Sequence, residues 1–247
     1  MIFRRVKAHI EKENWFAVGV DFFIVVVGVF IGIQVANWNE SYSDQAEYLL
    51  ALERLKQETK TNRLTIDTVD IEVAKSLKIV GDALDVLLTC SDSEENRLLV
   101  NKGLAELRGT NGLYLRRQAL KELTTNSRLL AQQTAQERQR FTDMLFYFDL
   151  TKTQSDFMEF HPLKIRFEDN PVLRVGPRQS VSTEFYGVDM LQIRSIELNA
   201  SIDVACENDP LIKAFITWER WQSDLIPIAG EVRFEMNATE TLLEKRQ

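Results

Sequence analysis

The chain has 247 residues, of which 45% are hydrophobic and 27% are charged, and this balance is typical of a folded protein rather than a disordered one. Gly and Pro are scarce, at 10 and 5 residues, which favours long helices over a turn-rich β fold. The formal net charge of −7 argues against nucleic acid as a partner, because phosphate contacts require clustered Lys and Arg.

The N-terminal region combines a basic stub, residues 1–14, with a long apolar segment. Between Trp15 and Ile33 the only charged residue is Asp21. Nineteen residues of helix span roughly 28 Å, about the thickness of the hydrocarbon core of a membrane. Trp15 and Trp38 lie near the two ends, where indoles prefer the interface. The pattern predicts a transmembrane helix over residues 15–38. A cleaved signal peptide fits less well because no pair of small residues follows, and a buried core helix is the remaining alternative.

The flanking charges predict the orientation of this helix. Four basic residues precede it, whereas residues 39–53 contain no Lys or Arg. The positive-inside rule then places residues 1–14 in the cytoplasm and residues 39–247 outside. In a bacterium this is an inner-membrane protein with a periplasmic domain.

One face of the predicted span carries small residues and a carboxylate. At about 100° per residue, the face consists of Ala17, Asp21, Gly28, Gly32 and Ala36. Small side chains let helices approach closely in lipid, and a carboxylate in a span usually faces protein or water. Three interpretations of Asp21 stay open: it reaches headgroup water, it binds a helix of another copy or of a second membrane protein, or it carries a proton or an ion. The third rests on a layout that resembles the accessory subunits of ion-driven stators.

A second motif lies at the exit of the span, and it consists, with Asp21 and Gly28, of Gln34, Asn37, Trp38, Asn39 and Glu40. The whole pattern resembles a family of uncharacterised bacterial single-span membrane proteins, a domain of unknown function. Its members read Gly-Glu, apolar run, Gly, apolar run, Gln-x-x-Asn-Trp-Asn-Glu, and here Val20 and Asp21 replace the first pair. The resemblance implies a topology and no chemistry. The polar end of the motif either lies at the membrane interface or hydrogen-bonds to the base of the outer domain.

The rest of the chain predicts an all-α fold: a transmembrane helix followed by a long-helix antiparallel bundle with one loop-rich insertion. A helix to residue 89 has a stripe of apolar residues at steps of three and four, namely Ile66, Val69, Val73, Leu77, Val80, Leu84 and Leu87. Its polar run 56–63 is predicted to be solvated. Further helices are expected up to residues 109–112 and over residues 113–124 and 128–160. The insertion, about residues 161–190, is expected to hold short strands at 163–167 and 181–185. A last helix, from residues 209–210, should kink at Pro227 and Gly230.

The sequence contains few residues of the types that form catalytic or metal-binding sites. Cys90 and Cys206 flank predicted helix ends that meet in an antiparallel bundle, so outside the cytoplasm a disulfide is expected, with two free thiols as the alternative. Two Cys and two distant His lack the spacing of a metal site, and no catalytic or phosphate-binding motif is found.

The aromatic runs 146–148 and 215–221 are expected in the core. We expect no cofactor and no enzymatic activity. The sequence favours a binding or scaffold role, with a stator-like subunit or a ligand sensor as alternatives.

Overall fold

A computed structural model describes residues 15–183 and 188–245, and within them the side chains of residues 18–180 and 192–245. Its dominant feature is one helix, α1, which runs over Trp15–Thr89, 75 residues or about 110 Å. The elements that follow are α2 Glu94–Glu106, α3 Gln118–Thr125, α4 Ser127–Gln132, α5 Ala135–Phe160, β1 Leu173–Thr183, β2 Val188–Leu198, α6 Ile202–Ala205, α7 Asp209–Ser223 and α8 Leu225–Glu244. The predicted all-α class with an antiparallel bundle is confirmed, and a two-stranded sheet is added to it.

Helix α1 is long because its sequence contains no Pro and buries a regular stripe. Ile66, Val73 and Val80 are all at most 1% exposed, as the three-and-four spacing predicted. The helix ends at Thr89 because Cys90 has a left-handed backbone with φ 51°. Ser93 then starts α2, where its side chain accepts a hydrogen bond from the Asn96 N–H.

The buried stripe of α1 serves two cores. The disulfide-end core is formed with α2, the base of the β hairpin and α7, and it includes Leu87, Leu104, Leu198, Phe215 and Trp218. The span-end core is formed with α3, α4, α5 and α8, and it includes Tyr48, Leu55, Leu120, Phe141 and Val232. Both cores therefore pack on the same helix, α1, which runs along the whole domain.

Helices α7 and α8 return along α1 in the opposite direction. Arg233 forms ion pairs with Asp67 and Asp70, and Arg63 then pairs with Glu240 further along α8. Increasing position in α8 therefore matches decreasing position in α1, which is the antiparallel arrangement expected from the sequence.

The insertion differs from its prediction. Residues 163–167, expected as a strand, instead fall in the two 3₁₀ turns Pro162–Lys164 and Phe167–Asp169 and the residues between them. The second predicted strand, 181–185, coincides with the end of β1 at residues 181–183, its residues 184–185 lie outside the described residues, and β2 was missed. The hairpin extends to Leu198 because its base is held by distant residues. Arg97 donates to the carbonyls of Leu198 and Ala200, at 3.2 and 3.0 Å.

One helix prediction was also wrong in detail. The expected helix at 128–160 is broken before Ala135, where Thr134 and Glu137 form a capping box. The C-terminal segment is divided at Asp224 into α7 and α8, and α8 runs through Pro227 and Gly230 without a break, so the kink expected at these two residues stays a prediction. Pro227 is tolerated because the first turn of a helix needs no N–H donor there.

Candidate functional site

The N-terminal part of α1 stands apart from the bundle. From Val18 to Ser43 no described side chain is buried. The described chain contains one helix that is long and apolar enough to cross a membrane, with a mean hydropathy of 2.4 in its most apolar stretch and none of that stretch buried. A core helix of a soluble domain would be covered by its neighbours, whereas this segment is apolar and uncovered, which fits insertion into a membrane.

The predicted small-residue face lies on this uncovered segment. Asp21 and Ala36 are exposed, and a Cβ atom added at Gly28 or Gly32 would meet nothing within 4 Å. Ala17 belongs to the same helix, but its side chain lies outside the described side chains. The face is therefore open in the described chain, and a neighbouring helix has room to approach its backbone closely.

The interface motif also stands clear of the bundle. Gln34, Asn37, Trp38, Asn39 and Glu40 are all exposed. The first fully buried residue of α1 is Tyr48, about two turns after the motif. The amides of the motif thus lie between the span and the domain, a position that favours the membrane-interface interpretation over contacts with the base of the domain.

The polar run 56–63 was predicted to be solvated, and the structure shows this for Lys56, Gln57 and Lys60 but buries the other side of the run. Thr59 and Asn62 are only 2% and 1% exposed. The Asn62 amide donates to the Arg116 carbonyl at 2.6 Å and accepts from the Arg116 N–H at 2.8 Å. Glu58 accepts the Ala119 N–H at 3.0 Å, where α3 begins with unpaired donors. Polar side chains of this run therefore hold the distant segment 116–119 in place. The sequence analysis missed these contacts because it followed only the spacing of apolar residues.

Cys90 and Cys206 form a disulfide between the end of α1 and the residues that precede α7. Their Cα atoms are 5.5 Å apart and 116 residues apart in sequence. The bond closes a loop that contains most of the domain, and on the chain-entropy account it stabilises the fold by restricting the unfolded chain.

The remaining candidates for chemistry are His161 and the charged groups of the described surface. His161, Phe157 and Trp221 form a cluster of three rings, in which the His161 centroid lies 4.9 Å from that of Phe157 and 4.7 Å from that of Trp221, and the centroids of Phe157 and Trp221 are 5.0 Å apart. Among the described residues, no group of three or more His, Cys, Asp and Glu side chains is arranged to hold a metal ion. A groove of about 390 Å³ between α1 and α8 is lined by charges of both signs, among them Lys56, Lys60 and Glu240.

Exposed apolar residues on the bundle were missed by the sequence analysis. Phe146 was expected in the core but is 62% exposed, and it begins a stripe on α5 with Leu150, Phe157 and Phe160. A second set, Leu50, Leu64 and Ile71, lies on the outer side of α1. The signal for both was present as helical spacing, but each stripe is interrupted by polar residues and is weaker than the buried stripes.

The fold and the exposed segment define a helical protein with one apolar N-terminal helix, of a kind that fits a membrane protein of unknown role. Residues 21–112 match a family described as a family of unknown function, DUF6090. The match begins at Asp21 and covers most of α1 and all of α2, which is 92 of the 247 residues. No curated protein and no solved structure matches the chain. The similarity thus extends from the span into the domain and carries no activity with it.

Proposed function

We propose that this chain is a non-enzymatic binding or scaffold protein of a bacterial inner membrane, which assembles with a partner helix through the face of Asp21, Gly28, Gly32 and Ala36. The observation that carries the proposal is the open backbone at Gly28 and Gly32, on a segment that no other described part of the chain covers. In lipid, where apolar surface alone gives no drive to associate, close backbone packing is a main source of helix affinity.

Two further features support the location. The basic stub before the span and the absence of Lys and Arg just after it favour a cytoplasmic N-terminus. The Cys90–Cys206 disulfide suits an oxidising compartment, where such bonds persist. Together they support a periplasmic location for the bundle, which α1 joins directly to the span.

The test is purification of the full chain in a mild detergent, with measurement of the particle mass and identification of co-purifying proteins. The variant Gly28→Leu/Gly32→Leu fills the open face. Gly19→Leu is the matched control, because Gly19 is equally open but lies on the other side of the helix. We expect the double variant to lose a partner or a dimer that the wild type and the control retain. A monomer without partners in all three would contradict the proposal.

A substitution at Asp21 distinguishes the proposed scaffold role from the role of an ion-coupled subunit. An amide still hydrogen-bonds a partner helix but cannot exchange a proton near neutral pH. We therefore expect Asp21→Asn to retain the assembly and the activity of any complex that the chain joins. Assembly that survives while the activity of the complex is lost would favour the ion-coupled role.

A further inference from the structure

The groove of about 390 Å³ between α1 and α8 lies beside the span-end core. Its α1 wall includes Lys56, Lys60 and Arg63, and its α8 wall includes Glu240 and Glu244. The volume falls in the lower part of the range that small-molecule sites occupy in proteins. The groove therefore has one wall with positive charges and one wall with negative charges.

The charges of the two walls are only partly paired with each other. Arg63 donates a hydrogen bond to Glu240 at 2.7 Å. Lys56, Lys60 and Glu244 are exposed, and within the described chain their side chains form no ion pair and no hydrogen bond. Two ammonium groups and one carboxylate are therefore available in the groove for a ligand.

The buried part of the groove contains a hydroxyl group without a partner. Thr59 lines the groove and is 2% exposed, and its hydroxyl forms no hydrogen bond within the described chain. By contrast, Thr61 and Thr65 on the same helix donate to the carbonyls four residues before them. A buried hydroxyl without a partner is costly, so an acceptor that enters the groove and binds this hydroxyl is favourable.

The donors of the α1 wall match a carboxylate. Lys56 lies three residues before Thr59 and four before Lys60, a spacing that places the three side chains on one face of the helix. Two ammonium groups and a hydroxyl donate hydrogen bonds, and a carboxylate accepts several of them at once. Glu244 on the opposite wall matches an ammonium group. A ligand with both groups therefore uses both walls, whereas a simple anion would meet the like charge of Glu244.

The groove is too far from the membrane for a lipid headgroup to reach it. Lys56 follows Trp38 by 18 residues of one continuous helix, a rise of about 27 Å. The headgroup layer extends only about 5–8 Å beyond the hydrocarbon core on each side. With Trp38 at the membrane interface, the ligand of the groove is therefore a soluble molecule.

We propose that this groove binds a small soluble zwitterion of the amino-acid class, with its carboxylate on Lys56, Thr59 and Lys60 and its ammonium group on Glu244. Because α1 and α8 each supply one wall, the bound ligand joins the two helices by charge-assisted hydrogen bonds. The inference does not rest on the proposed function, because the groove lies on the bundle and the assembly face lies on the span.

Isothermal titration calorimetry of the full chain in a non-ionic detergent tests the class of ligand. The probes are the common L-amino acids and the dipeptide L-alanyl-L-alanine, each titrated separately. We expect at least one probe to bind one-to-one, with a dissociation constant of about 1 mM or tighter. Its N-acetylated and C-amidated forms each lack one charge, and both should bind at least about tenfold more weakly. Absence of binding by every probe overturns the proposal, and so does equal binding of either blocked form.

Variants of the α1 wall test the position of the site. Lys56→Ala/Lys60→Ala removes two ammonium groups from the groove. Lys75→Ala/Lys78→Ala is the matched control, because it removes two exposed ammonium groups of α1 that do not line the groove. We expect binding at least about tenfold weaker in the first variant and unchanged in the control. Equal loss in both variants would mean that only the net charge of the chain matters, and it would overturn the site.

A variant of the α8 wall tests the place of the ammonium group. Glu244→Gln removes an exposed carboxylate, so the bundle is expected to stay folded. We expect this variant to bind the free probe and its N-acetylated form with similar affinity, because the group that distinguishes them has been removed. A preference for the free probe as large as that of the wild type would contradict the contact with Glu244.

A substitution at Thr59 distinguishes ligand binding from a structural role. Thr59→Val keeps the shape of the side chain and removes a hydroxyl that has no partner within the described chain. We therefore expect unchanged thermal unfolding without the probe, several-fold weaker binding, and a smaller rise of the melting temperature at saturating probe. Binding as tight as that of the wild type would overturn the assigned position of the carboxylate. If Thr59→Val does not fold, the variants at the exposed Lys56, Lys60 and Glu244 decide the outcome.

Discussion

The two halves of α1 follow the same backbone but meet different surroundings. Residues 18–38 present apolar side chains in all directions and bury none of them. From Tyr48 to Thr89 the same helix buries a single stripe and exposes a surface that is mostly polar. A stripe is the pattern of a helix between a core and water, whereas an all-round apolar surface needs a solvent that is itself apolar. The boundary between the halves is the interface motif around Trp38.

Glycine shows the same difference at the scale of one residue. Gly103 of α2 is buried, and a Cβ atom there would collide with Ala83 and lie 2.7 Å from the Phe215 ring. A Cβ atom added at Gly28 or Gly32 would meet nothing within 4 Å. In the bundle, glycine allows a close helix contact that already exists, whereas at Gly28 and Gly32 no part of the described chain approaches the helix.

The largest expected effect is on the disulfide-end core. Phe215→Ala removes a fully buried ring that packs near Gly103, and we expect a loss of about 3–5 kcal/mol in the free energy of unfolding. Denaturant unfolding of the full chain in detergent, followed by circular dichroism, measures it. Phe146→Ala is the control, and its exposed ring should change the stability by less than about 0.5 kcal/mol. Similar losses in both variants would mean that the α5 stripe is buried too.

The glycine comparison predicts a smaller effect. Gly103→Ala should destabilise the bundle by about 1–3 kcal/mol, because the overpacking of Ala83 and Phe215 outweighs the helix propensity that Ala gains. Gly32→Ala should leave the unfolding of the bundle unchanged, because its Cβ atom meets nothing within 4 Å. The same unfolding assay compares the two variants. A stabilised Gly103→Ala protein would refute the close contact between α1 and α2.

Polar contacts of α1 predict a further difference between its halves. Asn62→Ala leaves the Arg116 N–H and carbonyl without their partner, at a cost of about 1–3 kcal/mol where the groups are buried. Asn37→Ala, an exposed amide of the interface motif, should not change the unfolding of the bundle. Thermal melts of the two variants in detergent give the comparison. An equal loss in Asn37→Ala would show that the motif does contact the domain.

The smallest effect is expected at the surface between α1 and α8. Hydrogen bonds to Asp67, and then to Asp70, raise the pKa of the Arg233 guanidinium against the opposing effect of burial. A raised pKa of a cation contributes stability that is fully present below the pKa of the unfolded chain, far above neutral pH for Arg, and is lost as the pH rises through the higher pKa of the folded chain. Arg233→Met should therefore cost up to about 1 kcal/mol, with no variation from this group between neutral and mildly alkaline pH. Added salt should shrink the difference from wild type, and a cost that grows with salt would contradict the ion-pair account.

The sequence analysis correctly predicted the features of the fold that depend on residues close together in the sequence. The apolar length of the span and the spacing of Ile66, Val73 and Val80 need no knowledge of partners, so they were read correctly. The disulfide followed from the antiparallel order of two helix ends. The β hairpin was misplaced because its base depends on Arg97, which is distant in sequence. The burial of Asn62 was missed because its partner is a backbone group in another segment.

The candidate site could be predicted only in part from the sequence, for the same reason. The small face of the span is a property of one helix and was predicted from spacing, and its openness required the structure. Leu64 and Ile71 lie two residues from the buried Ile66 and Val73 in the sequence, and only the direction of the bundle shows which side of α1 each one occupies.

All the proposals above require that residues 18–38 lie in lipid while the bundle lies in water. Alkaline carbonate extraction of membranes from cells that express the full chain tests it most directly, because it strips proteins that are held only by surface contacts. We predict that the chain stays in the membrane pellet and that protease added from the outer side degrades the bundle but spares the span. A chain released into the supernatant with its bundle folded would contradict the account.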